Sequence, residues 1–380
     1  MKLTISMNAI QYAVKLASGF AASATDIAEL RCLKIDSTGD MLTITAFNRT
    51  AWVKIRVAGA EVAVPGVCLM PAVELRKWLS AGDNAYPLVV ETVGDSANLT
   101  NGKAKFRIPT LDVNKYSDPT AAAVIPTTAV MEAKDLVRGI VSVSFAMDRK
   151  DSDRNAKTDA MLLEIDSNTV HLVATDTKVV SLIALKARTH GPKIDEMLPY
   201  SSVAMLAPLL ESAADGDAIV RLSKHEAVIE TERFEFGTRL SVGKKLPWRA
   251  ILKQWDLDRP EKIVIQPKEF LAAIRQVVAA AAADETRLEL DFEANGARLA
   301  LPNNKSITFY DIPGNTIEMS FAFQWDYLTD LFNSVARQDL PVTLEWGAHD
   351  ARNQSILFRI GADWKFMGVP LVGANASGAK

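Results

Sequence analysis

Cysteine is almost missing from this 380-residue chain: Cys32 and Cys68 are the only two. They form neither a disulfide framework nor a metal-ligand spacing, so a reduced, cytoplasmic setting is expected. Histidine is equally sparse, and His171, His190, His225 and His349 include no pair at ligand spacing, so no metal centre is predicted from them. No apolar run approaches the roughly 18 residues of a membrane-spanning helix. An excess of one charge is missing too. The 43 Lys and Arg against 46 Asp and Glu leave a net −3, which excludes a surface basic all over but leaves room for a local basic face. The chain has no phosphate loop, no Gly-x-Gly-x-x-Gly turn and no Gly-x-Ser-x-Gly elbow. Nucleotide-driven and serine-hydrolase chemistry therefore have no visible seat, and no cofactor is expected.

The remainder is ordinary globular material, 48% apolar and 23% charged, long enough for two or three domains. The first 24 residues superficially resemble a secretion signal ending in Ala22-Ser23-Ala24. Ser6, Asn8, Gln11 and Lys15 interrupt its apolar core, while Ile10, Val14 and Ala17 fall on one helical face. A structural helix is the expectation there.

A repeat organises the chain. Leu3-Thr4-Ile5 leads into a helix with Ile10 and Val14. Ala129-Val130-Met131 leads into one with Leu136 and Ile140, and Ile263-Val264-Ile265 into one with Phe270 and Ile274. Ile10, Leu136 and Phe270 lie 126 and 134 residues apart. Each helix precedes a hairpin of alternating apolar residues around an Asx or Gly turn: Leu33–Ile44, Met161–Val173 and Leu288–Ala300. Within each third the theme recurs, with helices near 72–80, 202–212 and 327–332. The pattern predicts an α+β protein of three similar domains, 1–125, 126–257 and 258–380, each holding two strand–helix–strands units. The boundaries fall after Ser117-Asp118-Pro119 and within the stretch from Trp255 to Pro260.

Asp148, Asp151, Asp153 and Asp159 invite a calcium reading, but Ala156 and Leu162 stand where an EF-hand loop needs Gly and Glu. Interleaved Arg149, Lys150, Arg154 and Lys157 favour a solvated loop. The run Ala279 to Ala283 is expected to continue its helix to Asp284 through propensity alone. The six helices carry eight bases against seven acids, which by itself does not point to nucleic acid.

Several local motifs, in order and at matching spacing on this repeat, resemble the bacterial DNA polymerase III β subunit, the replicative sliding clamp. They are Met70-Pro71-Ala72, the stretch Gly102-Lys103 to Thr110-Leu111, Leu172-Val173-Ala174-Thr175-Asp176, and Phe366-Met367-Gly368-Val369-Pro370-Leu371. The resemblance covers about residues 1–372. It implies a non-enzymatic processivity factor, a head-to-tail homodimeric ring with helices inside and sheets outside. Such a ring encircles duplex DNA without reading its sequence and tethers polymerase subunits and the clamp loader through short peptide motifs.

Carried over by motif, the resemblance implies a partner-peptide groove of Thr158, Thr175, Thr177, Lys178, Val179, Val180, Pro247, Ala250, Ile251, Met367, Val369, Pro370, Leu371 and Val372. DNA contacts are expected from Lys15, Arg76, Lys77, Lys134, Arg138, Arg149, Lys150, Arg154, Lys157, Lys268 and Arg275. Phe106 and Ile108 are expected to meet Arg275 and Ala280 of a second copy. This chain departs from the family at Thr177-Lys178-Val179-Val180, where Gly-His-Arg-Leu is usual, and at Ala250, where Arg is usual. Thr158 replaces a usual Leu, while Ala24 and Val73 stand where Arg is common. The resemblance is thus to a divergent clamp. Two other readings remain: a paralogue serving a specialised polymerase or acting as a decoy, and a metal-dependent enzyme using the Asp148–Asp159 loop.

Overall fold

The computed structural model describes residues 1–22, 24–119, 127–148, 158–255, 259, 261–346 and 355–371, with residues 254 and 255 described by backbone alone. The first third forms β1 (Lys2–Ile5), α1 (Met7–Ser18), β2 (Cys32–Asp36), β3 (Leu42–Phe47), β4 (Ala51–Val57), β5 (Glu61–Val64), β6 (Val67–Pro71), α2 (Ala72–Ser80), β7 (Leu88–Val93), β8 (Ser96–Asn101) and β9 (Ala104–Pro109). Next come β10 (Thr127–Glu132), α3 (Ala133–Ser144), β11 (Ala160–Asp166), β12 (Thr169–Thr175), β13 (Val179–Lys186), β14 (Arg188–His190), β15 (Ile194–Pro199), α4 (Tyr200–Ser212), β16 (Asp217–Leu222), β17 (Glu226–Glu230), β18 (Phe234–Arg239) and α5 (Trp248–Trp255). The last third adds β19 (Glu261–Ile265), α6 (Pro267–Val278), β20 (Arg287–Glu293), β21 (Gly296–Ala300), β22 (Ile307–Asp311), β23 (Met319–Gln324), α7 (Trp325–Ala336), β24 (Val342–Trp346), β25 (Ile356–Ile360) and β26 (Trp364–Gly368).

The repeat anchors behave as their spacing predicts. Ile10, Leu136 and Phe270 are all buried. In α1 the residues Met7, Ile10, Ala13, Val14 and Ala17 form one buried stripe, the condition for a short helix to be held by packing. Pro267 starts α6, where a missing N–H leaves no bond unmade. The Leu33–Ile44 and Leu288–Ala300 hairpins form, with Ile35 opposite Ile44 and Phe292 opposite Ala297.

Contacts gather the chain into two compact units. The first comprises Met1–Val137, Ile165–Asn168 and Ala187–Ser241. It contains a five-stranded antiparallel sheet in the order β5-β1-β7-β8-β9 and a nine-stranded one in the order β14-β10-β16-β17-β18-β4-β3-β2-β6. The nine-stranded sheet joins the first repeat to the second where Phe236 pairs with Val53 and Gly237 with Trp52. The indole lies so close that a Cβ on Gly237 would sit 2.2 Å from it. Arg56 and Glu230 add an ion pair at 3.1 Å across this seam.

The second unit comprises Arg138–Glu164, Thr169–Lys186 and Val242–Lys380. Its strands run β11-β12-β13-β26-β25-β24-β19 in one sheet and β22-β21-β20-β23 in another. Phe270, Phe332, Phe358 and Phe366 form a chain of ring contacts at 4.9, 6.4 and 5.5 Å. Burying each ring is worth about 1.5–3 kcal/mol. The Trp364 indole donates to Ser181 Oγ at 2.9 Å, and that hydroxyl donates to the Ser142 carbonyl at 2.7 Å.

Two expectations need correcting. The helix α6 ends at Val278 rather than running to Asp284. Ala280 and Ala281 make only the tighter bonds to the carbonyls three residues back, and Ala279 and Ala280 are exposed. Alanine propensity does not sustain a turn that buries nothing. The helix α5 was not expected at all. Among the described residues, no helix is long and apolar enough to cross a membrane.

Candidate partner groove and nucleic-acid face

The turn between β12 and β13 is tightly wired. Asp176 accepts bonds from the backbone N–H groups of Lys178 (2.9 Å) and Val179 (3.1 Å). The Thr175 hydroxyl donates to the Val179 carbonyl at 2.7 Å and accepts from the Thr177 N–H at 3.0 Å. Thr177 itself sits at φ 83°, a left-handed conformation that a β-branched residue resists. The family's usual glycine at this position meets the same demand without strain.

The second strand of the site follows directly. Val180 is the antiparallel partner of Met367, and Val179 of Gly368. Beyond β26 the chain stays on this surface. The Val369 N–H donates to the Lys178 carbonyl at 3.3 Å, and the Leu371 N–H to the Ala322 carbonyl at 2.8 Å. A Cβ on Gly368 would stand 2.0 Å from the Phe323 ring, so a larger residue there must displace that ring. Val180 and Leu371 are half-buried, and Val369 is 59% exposed.

Thus Val180, Val369 and Leu371 leave apolar surface along this strip, Met367 and Pro370 are buried within it, and Thr177 and Lys178 are exposed at its end. Thr158, Thr175 and Val179 were expected in the groove lining, but their side chains are buried. Pro247 and Ala250 are exposed and Ile251 half-buried on α5 and its approach. Val372 lies outside the described residues.

Two neighbours escaped the sequence reading. The Tyr327 hydroxyl on α7 donates to Asp176, and Lys178 Nζ lies 3.4 Å from Gln324 Oε1. Burial, followed by the Asp176 contact, pushes the Tyr327 phenol well above its ordinary range, so it remains a donor. A repeat-based reading assigns α7 to the core and gives no cue for this.

The basic candidates divide by their partners. Lys134 pairs with Glu132 at 2.5 Å, Arg138 with Asp363 at 2.7 Å and Lys268 with Asp339 at 2.6 Å. Arg275 donates to Asn333 at 2.5 Å. Lys15, Arg76 and Lys77 are exposed. Lys15 and Arg76 flank a cleft of about 670 Å³ between α1 and α2, which Asn8, Gln11 and Ser80 also line. Arg149, Lys150, Arg154 and Lys157 lie outside the described residues, as do Asp151 and Asp153.

The edge strand β9 carries Phe106, stacked on Trp78 at 5.6 Å. Ile108, expected to meet a second copy, is fully buried in its own unit, so its side chain has nothing to offer a partner. Arg275 and Ala280 are exposed. The edge strand β22 presents Phe309 at 72% and Ile307 at 41% exposure, and the sequence reading passed over it.

The described residues thus form repeated helix-and-sheet modules, with an apolar strip where β13 pairs with β26. Residues 1–120 match the family model described as DNA polymerase III beta subunit, N-terminal domain. The beta sliding clamp of Pseudomonas putida is 23% identical over 372 residues, covering 96% of this chain and 97% of that one. The Vibrio cholerae beta sliding clamp is 20% identical over 351 residues, covering 90% and 93%. Among solved structures, a Pseudomonas aeruginosa sliding clamp bound to griselimycin superposes with a TM-score of 0.82 at 20% identity, covering 98% of this chain and 99% of that one. A Helicobacter pylori beta clamp bound to a DNA ligase peptide gives 0.81 at 17%, covering 98% and 100%. Residues 1–120 are thus similar to the N-terminal domain of the DNA polymerase III beta subunit, and nearly the whole chain shares the fold of the solved beta clamps.

Proposed function

We propose that this protein is a DNA sliding clamp: a homodimeric ring of three domains per subunit, 1–125, 126–257 and 258–380. It surrounds duplex DNA and tethers polymerase and other factors, and it performs no chemistry of its own. The observation that carries this reading is the clamp fold across 98% of the chain. A relative solved with a DNA ligase peptide supports partner docking by short peptides. The strip of Val180, Met367, Val369 and Leu371 would take the apolar anchors of such a peptide.

Ring closure would join the β9 edge of one copy to the β22 edge of the next, with Arg275 and Ala280 beside the joint. Each edge has unpaired backbone groups that a strand partner satisfies. DNA would be held mainly by Lys15, Arg76 and Lys77, because Lys134, Arg138 and Lys268 already face carboxylates. Such sparse phosphate contacts carry no sequence information and let the ring slide.

Native mass measurement tests the assembly. A particle of about 83 kDa, twice the 41.4 kDa chain, is expected, with slower-migrating species on circular DNA when the clamp loader is supplied. A stable 41 kDa species at micromolar concentration would contradict the ring.

A further inference from the structure

Glu164 on β11 has a side chain only 1% exposed. A buried carboxylate is costly unless it is neutralised and hydrogen-bonded. Arg249, the second residue of α5, meets both needs, because its two terminal nitrogens donate to both oxygens of Glu164. The same guanidinium lies 4.0 Å from the centre of the Trp248 ring, which is itself buried. His171 on β12 packs against that ring at 5.1 Å, and its Nδ1 lies 3.6 Å from Glu164 Oε1. Four side chains thus close a circuit that fastens the first turn of α5 to β11 and β12.

The helix needs such a fastening. Eight residues are too few to hold a helix by backbone bonds alone. A buried ion pair contributes less net stability than apolar groups of equal volume, but its two-pronged geometry fixes direction. Pro247, Ala250 and Ile251 flank the two latch residues on the same short segment.

We propose that Glu164, His171, Trp248 and Arg249 are positioning residues for the partner groove. They orient α5 so that Pro247, Ala250 and Ile251 form one wall of it, and partner affinity therefore depends on a carboxylate too deeply buried to touch the partner. This rests on the groove reading above.

The test uses the full-length protein and a fluorescein-labelled peptide containing adjacent Leu and Phe. Glu164→Gln is expected to weaken peptide binding at least tenfold and to speed hydrogen exchange at residues 250–252, with the native mass unchanged. Arg249→Lys, which keeps the charge but loses the fork, is expected to fall between the two. The double variant Glu164→Leu with Arg249→Leu separates positioning from mere support, since it should recover the melting temperature without recovering affinity. Recovery of both would overturn the proposal, as would affinity within twofold of the unaltered protein in Arg249→Lys and the double variant. If Glu164→Gln does not fold, those two variants decide. If the unaltered protein itself fails to bind the peptide, the groove reading falls and the latch loses its purpose with it.

Discussion

At the scale of single residues, the turn at Thr177 stores strain beside the apolar strip. A non-glycine residue held at positive φ costs on the order of 1–3 kcal/mol, and β-branching places threonine at the unfavourable end. Thr177→Gly is therefore expected to raise the urea midpoint despite the added chain entropy, and a lowered midpoint would count against strain there. Gly368 presents the opposite case. Its backbone conformation is open to any residue, but Phe323 occupies the space a Cβ needs. Gly368→Ala should lower stability by roughly 1–3 kcal/mol in chemical denaturation, the usual result of overpacking. The cysteines give a pH signature. Burial pushes the Cys32 thiol up to about 11 and Cys68 up to about 12 from an ordinary 9.0. Both thiols ionise more readily in the unfolded chain, so stability is intact below about pH 9 and declines as pH rises toward 11–12. Cys68→Ala should flatten that decline in urea titrations between pH 8 and 11, whereas an unchanged slope would assign the loss to other groups.

At the scale of elements, the repeated helices and hairpins were legible because periodicity and burial coincide: Ile10, Leu136 and Phe270 all serve one core-facing role. The helix α5 was not legible. It lies outside the repeat and is held by Arg249 reaching a buried Glu164 far away in sequence, which no local pattern announces. The alanine run misled in the other direction, because propensity was read without a surface to pack on. The groove was readable only through motif resemblance. Val180 and Met367 lie on strands whose pairing joins segments nearly two hundred residues apart. Tyr327 and β22 were missed for the same reason, since exposure and cross-chain partners are properties of the folded surface. If this strip anchors partner peptides, changing both Met367 and Leu371 to Ala should weaken peptide binding at least tenfold, equivalent to about 1.4 kcal/mol. Fluorescence anisotropy would measure it, and unchanged affinity with the dimer intact would remove the assignment.

At the scale of the whole molecule, the proposed ring with its weak DNA contacts would be retained by topology rather than affinity. With Lys134, Arg138 and Lys268 facing carboxylates, direct binding to short duplexes should show a shallow dependence on salt, unlike that of a protein making six to ten phosphate contacts. The decisive measurement loads the protein onto a nicked circular plasmid with clamp loader and ATP, removes free protein, and then cuts the circle once. The protein should stay with the circle through gel filtration at moderate salt and leave once the DNA has ends. Retention on the linear product with unblocked ends would contradict encirclement and, with it, the central reading of this chain as a sliding clamp.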